Sequence, residues 1–160
     1  MSQYLIYINL PKYLAQWVTT RLGNPVVFPA GSPQNSVIRT YIRERLPGEA
    51  VYVLRSDDDR TAIAIPGSVA KPPEKYNFMG DRGKMAVAET IKDLFKRSLW
   101  CDISPLEKSP CGLNKLIAAW CEMNGIDVDR IESVRQCYYR IRAEYARCGI
   151  NLKKVHEKNP

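Results

Sequence analysis

The fold is decided by a stretch near the end of the chain, ESVRQCYYRIRAEYARCG (132–149). Apolar residues recur in it every three or four positions, which predicts one amphipathic helix. The predicted buried stripe consists of Val134, Cys137, Tyr138, Ile141, Tyr145 and Cys148. The opposite face carries Gln136, Tyr139, Arg140, Ala143 and Arg147, with Arg135 and Arg142 along one edge. The predicted helix therefore has a basic outer face.

The sequence before this helix predicts two more helices. The first covers 82–100, where Val87, Ile91, Leu94, Phe95 and Ser98 share one side. The second begins at Ser109-Pro110 and ends at Asn124-Gly125, and its inward positions are Leu113, Leu116, Ile117 and Trp120. Asp129 and Glu132 have the spacing of a capping box at the start of the third helix. Together these segments predict a three-helix bundle over 82–149.

With LNKLIAAWCEMNGIDVD (113–129) before it, the third helix resembles the recognition helix of a helix-turn-helix protein. The three-helix arrangement is similar to that of the homeodomain-like superfamily, although the GIDVD connection is longer than the usual turn of that motif. The resemblance implies that the helix docks in the major groove of duplex DNA. The positions that would point towards base edges or flanking phosphates are Ser133, Arg135, Gln136, Tyr139 and Arg140. The candidate nucleic-acid-binding set is completed by Arg142, Arg147, Lys153 and Lys154.

Three segments of the chain are similar to uncharacterised small proteins associated with bacterial mobile elements. They are YLIYINLPKYLAQWV (4–18), TAIAIP (61–66) and GLNKLIAAWCEMNGI (112–126). This resemblance implies a bacterial, cytoplasmic setting and no defined chemistry. A transcription regulator and a mobile-element accessory factor are both compatible with it.

The first 66 residues predict a small strand and helix region. A strand over 3–9 is followed by a helix from Pro11 that ends at Gly23, and then by a short strand at 25–28. Ser32 and Pro33 open a second helix, whose inward positions are Val37, Ile38, Tyr41 and Ile42. The runs AVYVLR (50–55) and TAIAIP (61–66) flank SDDD (56–59) and predict a hairpin.

These predictions define an α+β fold with four parts. Residues 1–66 form the small strand and helix region, which is a candidate surface for a homodimer or a protein partner. Residues 67–81, with several prolines and glycines, are predicted to be a linker. Residues 82–149 form the bundle of helix-turn-helix type, and 150–160 form a basic tail.

The charge of the chain favours an acidic partner. The net charge is +7, and the residues from Arg130 onward contain eight Lys or Arg and three Glu. A positive field of this kind attracts phosphate. Duplex DNA is the main expectation, and RNA is a further candidate because Arg and Tyr also stack on unpaired bases. The alternative is that the arginines only keep the helix soluble, which would make the protein a non-enzymatic adaptor with a basic surface.

The sequence gives little support for an enzyme, a cofactor or a metal. The one histidine, His156, lies in the polar tail, and the five cysteines form no CxxC pair, so we expect reduced cytosolic thiols. Cys137 and Cys148 are expected to pack in the core. Asp57, Asp58 and Asp59 are interpreted as a solvated turn, with a metal-dependent enzyme as the third alternative. No apolar run approaches the roughly 20 residues that a membrane helix needs.

Overall fold

The computed structural model describes residues 4–55 and 59–148 and divides the chain into two compact units, Met1–Phe95 and Lys96–Pro160. The helices and strands are β1 (Leu5–Ile8), α1 (Lys12–Leu22), α2 (Pro33–Tyr41), β2 (Thr61–Ala64), α3 (Asp81–Ile103), α4 (Leu113–Met123) and α5 (Ile131–Arg147). The expectation of a mixed α+β fold is confirmed. The division falls within α3, whereas the sequence predicts the boundary at a linker over 67–81.

The sheet of the first unit has two described strands. β1 runs antiparallel to β2, with Leu5 opposite Ala64 and Ile8 opposite Thr61. The predicted strand at 25–28 is reduced to one parallel bridge from Val26 to β2. The predicted hairpin is wrong, because β2 pairs with β1 and residues 50–55 form no ladder. All four residues of β1 are buried, so burial of apolar side chains on both faces outweighs the short sequence separation that favoured the hairpin.

The helix boundaries in the first unit follow the sequence closely. α1 ends at Gly23, whose φ of 89° is the left-handed conformation that glycine adopts most easily. Pro33 opens α2, and the Ser32 hydroxyl accepts a hydrogen bond from the Asn35 amide at 3.3 Å. The prediction that Tyr41 points inward is wrong. Asn35 is buried on this helix instead, and its side chain donates to the carbonyls of residues 28 and 29.

The segment 67–81 is fastened to the end of α2. The Lys71 ammonium donates to the carbonyls of Arg39 at 2.7 Å and Ile42 at 3.2 Å. The Arg45 amide donates to the Lys75 carbonyl at 3.0 Å. The two Lys71 bonds satisfy carbonyls at the C-terminal end of α2, where a helix leaves carbonyls without intrahelical partners. The proline-rich composition therefore belongs to an ordered part of the first unit.

Gly83 lies in the first turn of α3 and is buried. A Cβ atom at this position would lie 2.7 Å from Cγ of Met79 and 2.7 Å from Cβ of Tyr41. The sequence suggests that Gly80 and Gly83 loosen the backbone before a helix. For Gly83 the structure gives a different reason, because only glycine leaves room for the helix to approach these two side chains.

In the second unit the end of α3, α4 and α5 are joined by 3-10 helices at Ser104–Leu106 and Val128–Arg130. α4 begins at Leu113, so the prediction of a start at Ser109-Pro110 is wrong, and those two residues lie in a turn. α4 ends at Asn124 as predicted, followed by Gly125 with φ 71°. Ile117, Trp120 and Cys121 are its buried residues.

Candidate nucleic-acid interface

α5 begins without the predicted capping box. The residue before it is Arg130, and no side chain caps the first turn. The Glu132 carboxylate bonds to the Arg135 guanidinium in the next turn at 2.6 Å, and Asp129 lies 3.8 Å from the Arg130 side chain. The 3-10 helix that precedes α5 occupies the place where the cap was expected. The acidic side chains therefore neutralise arginines and do not satisfy backbone amides.

The inward face of α5 packs on the end of α3. Val134, Tyr138 and Ile141 are its buried residues. The Tyr138 ring stacks on Trp100 with centroids 5.4 Å apart, and Tyr145 meets the same indole edge-to-face at 5.0 Å. Aromatic pairs with this geometry contribute beyond the area that they bury. These contacts fix the rotation of α5 about its axis.

A carboxylate from the loop before α4 also holds α5. The Tyr138 hydroxyl donates to Glu107, whose side chain is only 9% exposed. The Arg142 guanidinium lies 4.0 Å from the same carboxylate. Burial raises the pKa of Tyr138 to about 12, although the charge of Arg142 opposes that rise. Glu107 lies 31 positions before Tyr138, and no sequence signal connects the two residues.

α4 completes the three-helix arrangement of this unit. The Trp120 indole donates to the Asp102 carboxylate of α3 at 2.9 Å, and α4 packs against α5. Burial raises the pKa of the Cys121 thiol on α4 to about 11. This thiol is therefore protonated near neutral pH and acts as a small apolar side chain.

The outward face of α5 has the composition that the sequence predicts. The exposed residues of the candidate set on this helix are Ser133, Gln136, Tyr139, Arg140, Arg142 and Arg147. Arg135 is half-buried. Arg140 and Arg147 are seven positions apart, which corresponds to two turns and a rise of roughly 10 Å along the same side of the helix. Lys153 and Lys154 lie outside the described residues.

The arginines of α5 fall into two electrostatic groups. Arg135 is neutralised by Glu132, which also accepts a hydrogen bond from the Gln136 amide at 3.5 Å. The Arg135 interaction is the largest cause that lowers the pKa of Glu132 below its usual value. Arg140 and Arg147, in contrast, have no ion-pair partner within residues 4–55 and 59–148. They supply the uncompensated positive charge of the described part of this face.

Lys96 of α3 adds a cation that the sequence did not assign to the site. Burial raises the pKa of Cys137, and the charges of Lys96 and Arg140 both act against that rise. The charges of two cations from different helices, Lys96 of α3 and Arg140 of α5, therefore act on the same thiol. Lys96 is exposed. The helical pattern indicates only that Lys96 faces water, because its proximity to α5 depends on how the two helices pack.

The corner between α4 and α5 exposes apolar and acidic side chains, unlike the basic face of α5. Met123 and Val128 are each 83% exposed. Three exposed carboxylates lie around them in sequence, from Glu122, Asp127 and Asp129. This corner therefore differs from the second half of α5, where Arg140 and Arg147 lie.

The two cysteines of α5 and its C-cap differ in exposure. Cys148 is exposed, so the prediction that it packs in the core is wrong, while Cys137 is half-buried. The reason is that α5 ends at Arg147, one residue earlier. Within the described residues no group of three or more His, Cys, Asp or Glu side chains could hold a metal ion. Asp57, Asp58 and His156 lie outside this range, and Asp59 is exposed.

None of the helices in the described ranges is both long enough and apolar enough to cross a membrane. Comparisons with models of protein families, with characterised proteins and with solved structures found no match for this chain.

Proposed function

We propose that the protein binds duplex DNA through the outward face of α5 and acts by occupancy, without catalysis. The observation that supports this proposal best is the pair Arg140 and Arg147, which are exposed on one side of a helix whose other side is fixed by Trp100 and Tyr138. Guanidinium groups in such positions can bind phosphate or the edge of guanine. Because the backbone of the helix is already ordered, docking costs little further backbone entropy.

The proposed docking mode differs from the one expected from the sequence alone. There the first exposed turns of the helix, including Ser133, Arg135 and Gln136, were the leading contacts. In the proposed mode Arg140 and Arg147 lead, and Lys96, Lys153 and Lys154 are additional phosphate contacts. Arg135 and Gln136 contribute after Glu132 releases them. The helix-turn-helix type of the unit is part of this proposal, as is its bacterial, cytoplasmic role as a regulator or mobile-element accessory factor.

The first experiment is fluorescence anisotropy of the full chain with duplex DNA, duplex RNA and single-stranded DNA over a salt series. Three to five neutralised phosphates would give a log-log salt slope between about −2.7 and −4.5 on duplex DNA. Tighter binding to duplex RNA or to single-stranded DNA would indicate that the ligand is RNA or unpaired nucleic acid and not duplex DNA. The absence of binding at low salt would contradict nucleic-acid binding altogether.

A matched pair of double variants tests the face itself. Arg140→Ala with Arg147→Ala should reduce the slope by about 2 and weaken binding at least roughly tenfold at low salt. Arg21→Ala with Arg82→Ala removes the same charge from exposed positions in the first unit and serves as the control. Equal losses in both would mean that net charge, and not α5, controls binding.

One observation favours a second candidate, a protein-interaction adaptor. The corner with Met123 and Val128 exposes two large apolar side chains among carboxylates, and clustered exposed apolar residues are typical of protein contacts. In this case α5 would be structural and the corner would bind a basic partner. The two candidates separate in the salt series, because an adaptor would show no binding to any of the three nucleic acids.

A further inference from the structure

The two glutamates of α5 differ in their contacts. Glu132 bonds to the Arg135 guanidinium at 2.6 Å. Glu144, exposed in the second half of the helix, forms no ion pair with any residue that the structure describes. It follows Arg140 by four positions and precedes Arg147 by three, the spacings at which side chains on a helix can meet. An unpaired negative charge therefore lies between the two arginines that lead the proposed contact with DNA.

Glu144 faces the same side of α5 as these arginines. At about 100° of rotation per residue, it is about 40° from Arg140 and about 60° from Arg147 around the helix axis. The rise along the axis is about 6 Å from Arg140 to Glu144 and about 4.5 Å from Glu144 to Arg147. This side of the helix thus presents a positive, a negative and a positive group in turn.

This order of charges suits the edges of base pairs better than a row of phosphates. Phosphates are all negative, so a carboxylate that faced them would weaken binding by repulsion. The major groove instead offers acceptors at O6 and N7 of guanine and a donor at N4 of cytosine. Arginine binds the first two, and glutamate accepts a hydrogen bond from the third. Because base pairs follow each other at about 3.4 Å, the three side chains can meet the edges of neighbouring pairs.

We propose that Glu144 determines specificity by accepting a hydrogen bond from N4 of cytosine in the major groove, while Arg140 binds guanine of a neighbouring pair. This inference rests on the proposed binding of duplex DNA by α5 and adds the class of sequence, a site with neighbouring G·C pairs. The carboxylate also disfavours other sequences, because there its charge meets phosphates or base acceptors without compensation. If Glu144 only reduced the positive charge of the helix, its removal would strengthen binding to every duplex alike.

The test compares three alternating duplexes of equal length by fluorescence anisotropy of the full chain at low salt. They contain G·C pairs, inosine·cytosine pairs or A·T pairs. Inosine lacks the N2 amino group of guanine, so its pair with cytosine keeps the major-groove groups of G·C and loses the minor-groove donor. The wild-type protein should bind the first two equally and the A·T duplex at least about fivefold more weakly. Binding of the inosine duplex as weak as that of the A·T duplex would overturn readout in the major groove.

Two variants then assign the preference to one side chain. Glu144→Ala should lower the ratio of the G·C affinity to the A·T affinity at least about threefold. The helix should persist in this variant, because the position is exposed and alanine favours helices. Glu122→Ala removes the same charge from an exposed position of α4 and should leave the ratio unchanged.

The outcomes separate this inference from the function on which it rests. Equal binding of the three duplexes, or a ratio that Glu144→Ala leaves unchanged, would overturn cytosine readout while DNA binding by α5 stands. An equal gain on all three duplexes from Glu144→Ala would do the same, because it would show repulsion from phosphate alone. The absence of binding to any of the duplexes would overturn the proposed function together with this inference.

Discussion

The two sides of α5 differ in both exposure and charge. Ile141 is 5% exposed, while Arg140 and Arg142 on either side of it in sequence are exposed. One side is fixed by stacked rings and the largely buried Glu107 carboxylate, and the other carries Arg140 and Arg147, which have no ion-pair partner among the described residues. Stability and the proposed binding therefore reside on opposite sides of one helix, and substitutions should separate them.

A second contrast lies within the basic side. Arg135 and Arg140 look equivalent in the sequence, but Glu132 neutralises Arg135 at 2.6 Å and no described carboxylate neutralises Arg140. The count of arginines thus overstates the positive charge that is available to a ligand. Exposed ion pairs add little stability, so the main consequence of this pairing is for binding.

The largest effect is expected on the inward side. Ile141→Ala should lower the free energy of unfolding by about 2 to 5 kcal/mol, because it removes buried methylene groups and leaves a cavity. Arg140→Ala, its neighbour, should change this free energy by less than about 0.5 kcal/mol. Urea denaturation measures both. Similar losses for the two variants would contradict the assignment of the faces.

Alkaline pH should destabilise the core of the second unit, where Cys121 is buried. Burial raises the pKa of Cys121 to about 11 from an ordinary value of 9.0. Between these values the unfolded chain loses the thiol proton and the folded chain keeps it. Stability is therefore constant below pH 9 with respect to this group and falls by about 2 kcal/mol as the pH rises from 9 to 11. Denaturation at a series of pH values should show a smaller fall for Cys121→Ala than for Cys101→Ala, which alters an exposed thiol.

The contact between Tyr138 and Glu107 should contribute less than the core side chains. Tyr138→Phe removes the donor to a carboxylate that is largely buried and should cost about 1 to 3 kcal/mol. Tyr139→Phe is the matched control, because Tyr139 is 42% exposed. Thermal or urea denaturation compares the two. Equal stability of both variants would mean that the hydrogen bond from Tyr138 to Glu107 makes no measurable contribution to the free energy of unfolding.

The smallest effect is expected for Glu132→Gln, and it should appear in binding. If α5 binds DNA, releasing Arg135 and Gln136 should raise the affinity roughly two- to fivefold at low salt. Glu122→Gln makes the same charge change on α4 and should have less effect. Anisotropy titrations distinguish them, and an equal gain from both variants would indicate a response to net charge only.

The sequence predicted the helices best where capping and periodicity agreed. Ser32, Pro33 and Gly23 marked real helix ends, because such signals act within a few residues. The start of α4 was misplaced because Ser109-Pro110 is an equally good signal for a turn. The hairpin failed for another reason. Both 50–55 and 61–64 have strand propensity, but propensity does not choose the partner.

The sequence predicted which residues form the outward face of α5, but it did not predict which of their charges are neutralised. The outward positions of α5 follow from its 3.6-residue period, as the exposure of Gln136, Arg140 and Arg147 confirms. The pairing of Glu132 with Arg135 could have been anticipated from their spacing of three residues. The contact of Glu107 with this helix and the effect of the Lys96 charge on Cys137 could not, because these residues come from another helix and a loop.

The sequence by itself determined which segments become helices, which side of α5 is apolar and which side is basic. Those properties depend on interactions between residues a few positions apart. The tertiary structure decided that β1 pairs with β2, that Gly83 must lack a side chain and that two of the arginines meet carboxylates while two do not. Each of these depends on atoms brought together by packing, and the free energy of burial that selects such contacts is not encoded in any local pattern.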